Sequence, residues 1–377
     1  MDSHDAADLV NPLHPSVVGL VDPTYAEIYT QYQAPKLRAD QVPYEEYIKD
    51  PQKYTFPTHE VASTSPEVAS NEIYPVTVWS PPGKIQVQVY VPTPDAIASG
   101  GLKNDDGLPT LVNFHGGGFV LGGLKDDEVL CRQLCQRVGC IVVNVDYRTA
   151  PDYPHPTPVL DSWEALQWVF KWAEKYNIDP WRVAVSGLSA GGCIAAVLSI
   201  LARDKPTRPL VLQLLMVPLV DARFVPPSVS WGPNPYHSYV RLEHAPMLPL
   251  VRLSWFYNLW LGTDEGREEK VKDFRASPIL AESHANLAPA SIRCAGVDPL
   301  VAEGIAYYDK LKAAGTQSKI KVYKGQGHTL PHWDGANPAS KVFVEDCIGD
   351  LKGAFSEKKI EAWDDGELGD TMKLLSE

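Results

Sequence analysis

Alternation of apolar and polar residues begins abruptly near Ile73. Val76-Thr77-Val78-Trp79 and Ile85-Gln86-Val87-Gln88-Val89-Tyr90 repeat with period two on either side of Ser80-Pro81-Pro82-Gly83, which predicts two strands joined as a hairpin. Farther along, period two gives way to short runs that are apolar at almost every position. Leu111-Val112-Asn113-Phe114, Ile141-Val142-Val143-Asn144-Val145, Arg182-Val183-Ala184-Val185-Ser186 and the stretches 210–217, 291–295 and 320–323 are of this kind. A strand buried on both faces carries that signature. Helical patterns fall between the runs, at 126–137, 158–176, in the turns after Ile194, and at 301–314 and 338–354. Such alternation predicts an α/β fold: a mostly parallel central sheet covered by helices on both faces. Ligands of these sheets bind beyond the carboxyl ends of the strands.

Three stretches stand outside the pattern. Residues 1–70 are rich in Pro, Tyr and acidic residues, with short helices expected around Tyr25-Ala26-Glu27-Ile28-Tyr29 and Tyr44-Glu45-Glu46-Tyr47-Ile48. Disordered tails are poor in aromatics, so this segment is expected to pack over a site. Residues 93–108 suggest a polar loop. The insertion 222–276 is dense in Pro and aromatics (Trp231, Pro233, Tyr236, Tyr239, Trp255, Phe256, Tyr257, Trp260) and is too long for a structureless connection. It suggests a lid or, alternatively, an interface for a second subunit of a homo-oligomer.

Candidate chemistry centres on Gly187-Leu188-Ser189-Ala190-Gly191-Gly192. The six residues lie between a buried strand and a helix, the context that makes G-x-S-x-G a nucleophile elbow. Small flanking residues are needed because the turn is sharp and strained. A serine hydroxyl needs a base to take its proton, and in elbow-type triads the chain order is serine, acid, histidine. Asp298 follows the strand 291–295, and His328 follows the strand 320–323 within Gly325-Gln326-Gly327-His328. Both are therefore expected at the same sheet edge as Ser189. His332, His237, His244 and His284 are rivals for the base and Glu303 for the acid. Glycines before His328 let its loop turn back toward the serine, whereas Glu303 falls inside the following helix. His115-Gly116-Gly117-Gly118 follows the strand 111–114. Gly116, Gly117 and Gly118 offer unobstructed N–H groups that, with the N–H of Ala190, would make an oxyanion hole; Gly117 and Gly118 are the favoured donors among the glycines.

With these residues in place, the chain resembles the hormone-sensitive-lipase-like family of α/β hydrolases. The HGGG motif stands at 115–118 and the G-x-S-A-G-G motif at 187–192. The family's Tyr-Arg-Leu-Ala-Pro-Glu stretch looks like Tyr147-Arg148-Thr149-Ala150-Pro151-Asp152, and its Asp-Pro-Leu-x-x-Glu-Gly is matched by 298–304. His328 is the fifth element, and the likeness spans about residues 75–350. It implies an α/β-hydrolase core at 71–221 and 277–356, a cap built from 1–70 and 222–276, and a tail at 357–377. It also implies a serine esterase acting on carboxylic esters, with acyl or alcohol preference set by the cap. Leu188 stands where the family commonly has an acidic residue or Thr, and Thr149 and Asp152 replace Leu and Glu. None of these removes a catalytic group, although Leu188 makes the elbow's surroundings less polar. The expected activity is ester hydrolysis through an acyl-enzyme, with Ser189, His328 and Asp298 catalytic. Acyl transfer or lactone opening at the same site, and a ligand receptor on a hydrolase scaffold, are the alternatives.

Composition narrows the partners. The 377 residues carry 34 Lys and Arg against 47 Asp and Glu, a formal charge of −13, which disfavours nucleic acid. A small-molecule ester is the expected partner. No apolar run is long enough for a membrane span, and the start Met1-Asp2-Ser3-His4-Asp5 lacks a signal-peptide pattern. The six cysteines lack paired spacing and suggest reduced thiols, so a cytoplasmic protein is expected. Nothing in the sequence calls for a metal or another cofactor.

Overall fold

The expected strands assemble into one eight-stranded sheet. β1 (Ser70–Trp79) and β2 (Pro82–Val91) form an antiparallel hairpin with Val76 opposite Ile85. They are followed by β3 (Leu108–Phe114), β4 (Ile141–Asp146), β5 (Ile178–Leu188), β6 (Leu212–Met216), β7 (Ala290–Ala295) and β8 (Ser318–Tyr323). The spatial order is β1-β2-β4-β3-β5-β6-β7-β8. β2 runs antiparallel to β4, and every pairing from β4 to β8 is parallel. The carboxyl ends of β3, β5, β7 and β8 therefore open on one edge, where the elbow and the other motif loops emerge. The computed structural model describes residues 9–204, 209–225 and 234–356; Trp231, Pro233 and the tail 357–377 lie outside them.

Four short helices, α1 (Pro15–Val18), α2 (Pro23–Tyr32), α3 (Tyr44–Tyr47) and α4 (Pro51–Tyr54), precede the sheet. Then come α5 (Pro94–Gly100), α6 (Glu128–Val138), α7 (Thr157–Lys171), α8 (Ala190–Asp204), α9 (His237–Arg241), α10 (Leu250–Leu261), α11 (Arg267–Lys272), α12 (Val301–Ala313) and α13 (Pro338–Phe355). Successive strand residues point to opposite faces, and the core divides accordingly. Leu111, Val142, Ala184 and Leu214 pack with α6 and α13. Their neighbours Val112, Val143, Val185 and Leu215 pack with α7, α8 and the N-terminal segment. All residues of β3, β6 and β7 are buried, which is why these strands show no alternation in sequence.

Two elements differ from expectation. The polar loop at 93–108 contains α5, nucleated by Thr93, whose Oγ1 accepts from Ala96 N at 3.2 Å, with Pro94 in the first turn and left-handed Gly101 as its stop. Helix α7 ends at Lys171 rather than near 176, because 172–177 turn back to deliver the chain to β5, with Ile178 N donating to Ala173 O.

The N-terminal segment is part of the core. Val17, Tyr25, Ala34, Ala39 and Tyr54 are almost wholly buried and share one apolar cluster with the sheet. This segment is also tied to the insertion by Asp40. Its side chain is 2% exposed, hydrogen-bonded to Arg38 at 3.0 Å and 3.5 Å from Arg252 Nε on α10.

Candidate active site

Ser189 sits between β5 and α8 at φ 56°, the left-handed backbone that a nucleophile elbow imposes on a non-glycine residue. Hydrogen bonds hold it there: its N–H donates to Met216 O at 2.8 Å, and its carbonyl accepts from Cys193 N at 3.1 Å and Leu219 N at 3.3 Å. The flanking glycines are a steric necessity. A Cβ on Gly187 would overlap the Gly191 backbone, and one on Gly191 would overlap the Phe114 carbonyl. The elbow thus packs directly on the end of β3, the strand that carries the glycine loop.

Asp298 and His328 meet beyond β7 and β8. His328 Nδ1 lies 2.6 Å from Asp298 Oδ2, with both side chains buried. The second carboxylate oxygen accepts from Leu300 N at 3.0 Å. Such an arrangement fixes the ring's orientation and, with Nδ1 as the donor, leaves Nε2 free to accept a proton. Ser189 Oγ makes no side-chain hydrogen bond among the described residues. A serine–histidine contact that tightens only with substrate is common in unliganded sites.

The loop 115–118 turns sharply, with Gly117 at φ 113° and Gly118 at φ 63°. Among the described residues, the N–H groups of Gly117, Gly118 and Ala190 donate to no backbone carbonyl, so they remain available for a ligand. Gly116 packs against the Leu188 side chain, 3.2 Å from where its Cβ would stand. Leu188 therefore fills the space beneath this loop with an apolar surface.

The rivals are occupied elsewhere. Glu303 is buried on α12 and accepts from Tyr239 OH and from Val220 N at 2.7 Å; burial pushes its carboxyl pKa well up. His284 Nε2 lies on Pro278 O at 3.1 Å, the His244 ring lies tilted against His14 at 3.8 Å, and His237 is exposed. His332, four residues beyond His328, turns to Asp127 at 2.8 Å. Among the described residues no group of three or more His, Cys, Asp or Glu side chains is placed to hold a metal ion, and no helix is long and apolar enough to cross a membrane.

Three supports of the site were not legible as supports in the sequence, although one of them, the Tyr147–Asp152 stretch, belongs to its motifs. Tyr147 donates to His115 O at 2.7 Å and stacks on the His115 ring at 4.1 Å, while Ala150 N donates to Phe119 O at 2.8 Å. The Tyr147-Arg148-Thr149-Ala150 stretch is thus a buttress of the glycine loop. From the insertion, Phe256 occupies the space a Cβ on Gly118 would need, and Trp260 stacks on Phe119 at 3.9 Å. From the N-terminal segment, Tyr25 packs against Gly327, lies 3.3 Å from Thr329 Oγ1 and stacks on Trp333 at 4.2 Å. Asp22 N donates to Gly325 O at 2.8 Å.

These contacts revise one expectation. A segment lying only over a pocket could be deleted with the sheet still able to fold, but residues 22–63 wrap the loop that bears His328. Tyr25→Ala is expected to cost about 3–5 kcal/mol, the usual loss for a fully buried aromatic. Urea unfolding checks it, and a loss below about 1 kcal/mol would show the segment to be a peripheral covering.

A family described as having the alpha/beta hydrolase fold matches residues 111–332. An AB hydrolase superfamily protein of Schizosaccharomyces pombe is 32% identical over 363 residues, covering 94% of this chain and 100% of that protein. Esterase LipI of Mycobacterium tuberculosis is 34% identical, over 70% of this chain and 77% of its own length. Among solved structures, an ester hydrolase from the metagenome of Lake Arreo, complexed with a bipyridine phosphonate derivative, superposes with a TM-score of 0.76 at 27% identity. That match covers 89% of this chain and 99% of the hydrolase.

Proposed function

Since the chain belongs to the hormone-sensitive-lipase-like α/β hydrolases, a family of serine carboxylic-ester hydrolases, we propose that Ser189, His328 and Asp298 form its catalytic triad. The observation that carries this reading is the Asp298–His328 hydrogen bond at the same sheet edge as the strained Ser189 elbow. Ser189 Oγ attacks the ester carbonyl while His328 Nε2 takes its proton; Asp298 holds the ring and stabilises the imidazolium. The oxyanion of the tetrahedral intermediate is received by the N–H groups of Gly117, Gly118 and Ala190. Gly116 completes the turn, and its own N–H is the further donor the sequence suggests. Collapse expels the alcohol, which takes the proton from His328. Water then repeats the sequence on the acyl-enzyme, activated by the same base.

The N-terminal segment and the insertion act as a cap that sets acyl or alcohol preference. Phe256 against Gly118 supports that role, because it brings the insertion to within one side chain of the reacting centre. Leu188 and the aromatic insertion make the surroundings apolar, which favours neutral esters over charged ones.

Treatment with an alkyl 4-nitrophenyl phosphonate, followed by peptide mass spectrometry, tests the assignment. One equivalent is expected to add to the peptide carrying Ser189, with ester turnover falling in step. An adduct on another serine, or full activity after stoichiometric labelling, would refute it.

A further inference from the structure

His332 has no part in the triad, yet it is partly buried and reaches into a wholly buried polar cluster. Its Nε2 lies 2.8 Å from Asp127 Oδ1. Asp127 Oδ2 accepts from Asn113 Nδ2 at 3.1 Å, which also donates to Asn144 Oδ1 at 3.1 Å, and Asn113 Oδ1 accepts from Ser186 Oγ at 2.9 Å. Asp127, Asn113, Asn144 and Ser186 are wholly buried. Asn113 stands two residues before His115 on β3, and Ser186 three residues before Ser189 on β5. His332 stands four residues after His328. One run of buried hydrogen bonds therefore joins the bases of all three functional loops.

We propose that His332 is a positioning residue for the reaction, latching the loop that carries His328 to the strands that carry the glycine loop and the nucleophile through the Asp127–Asn113 relay. Placement of a catalytic group is sensitive to such a tie, since a displacement of about 1 Å can cost roughly 10²-fold in rate. The proposal rests on His328 being the base.

The charges around the latch set its pH response. Asp127, Asp126 and Asp334 face His332, and Asp334 is itself held by Gln133 Nε2 and Ser63 N. His115 faces Asp127, Asp126 and Asp146, and Tyr47 of the N-terminal segment faces Asp126. Burial opposes charge on His332, but the Asp127 hydrogen bond and charge outweigh it and raise its pKa above the ordinary 6.5. Burial likewise opposes charge on Asp127, yet His332 and Asn113 bring its pKa below the usual 3.8. The latch is thus complete from the carboxylate range up to the raised imidazolium pKa, and it weakens as pH rises through that value.

His332→Gln, which keeps a donor toward Asp127, and His332→Ala, which removes it, test the proposal with kcat, KM and pH profiles on a short 4-nitrophenyl ester. Expected is a fall in kcat of about tenfold for the Gln variant and more for the Ala variant, with KM within about twofold. The wild type is expected to show an alkaline limb of kcat, and both variants are expected to lack it. Wild-type kcat and pH profile in a folded His332→Ala protein would overturn the latch, as would a loss that merely tracks the fraction unfolded. Should neither variant fold, the wild-type protein still decides: kcat must fall with the titration of the His332 ring followed by NMR, and a kcat flat across that titration refutes the proposal. Ser189→Ala separates this failure from that of the triad. An inactive Ser189→Ala protein alongside an unaffected His332→Ala protein would sink the latch alone.

Discussion

Ser189→Ala is expected to lower kcat for a 4-nitrophenyl ester by on the order of 10⁵–10⁶-fold, with the fold intact and KM little changed. The substitution removes one oxygen from an elbow whose shape is set by the glycines at 187 and 191 and by the Ser189 backbone hydrogen bonds, so the scaffold does not depend on the hydroxyl. His328→Ala should lose nearly as much, and the double variant little more, because nucleophile and base act as a unit and removing either ends the proton transfer. Single-turnover kinetics on all three proteins checks this. Additive losses in the double variant would mean that the two side chains serve separate steps.

Gly117→Ala is expected to lower kcat by roughly 10²–10³-fold while leaving KM within a few-fold, the pattern of a lost oxyanion donor. At φ 113° alanine is strained, and its methyl would overlap the Leu121 carbonyl, so the turn must shift and carry its N–H groups with it. The charge those groups face exists only in the transition state, and substrate binding is therefore largely spared. Gly122→Ala is unsuitable as a control for loop strain: at φ 101° its Cβ would run into the His115 ring and disturb the same loop. Gly123→Ala is the proper control. A Cβ there meets only Asp146 Oδ1 at 3.4 Å, so near wild-type kcat is expected. Equal losses at 117 and 123, or a pure KM effect at 117, would make 115–118 a structural turn.

The sheet was legible because its central strands are buried on both faces and so must be apolar throughout, while the outermost strand, β1, exposes one face over Val76–Trp79 and must alternate there. Motif residues were legible for a related reason. Gly187 and Gly191 are dictated by backbone packed on backbone, a constraint only glycine satisfies, so the elbow prints itself in the sequence. Helix α5 was not legible although Thr93-Pro94-Asp95 is a sound helix start, because the Gly and Asp residues that follow give 93–108 the composition of a loop. The supports of the site could not have been found this way. Tyr25 under Gly327, Tyr147 on His115 and Phe256 on Gly118 join segments remote in the chain, and no local period encodes such a meeting. For His332, spacing alone made it a rival base, and only the course of the 330–332 turn takes it to Asp127.

Asp40 carries a consequence for recombination among relatives. Its carboxylate is shut away between Arg38 on its own segment and Arg252 on the insertion. Arg38 stays with Asp40 whichever insertion it meets, but a chimera that keeps this insertion and imports a foreign N-terminal segment without an acid at that place would strand the buried Arg252 guanidinium, at about 3–5 kcal/mol for a buried partner removed. The N-terminal segment and the insertion, some two hundred residues apart in the chain, are therefore to be exchanged as one cassette: together they supply the counter-charge for Arg252, and the insertion alone does not.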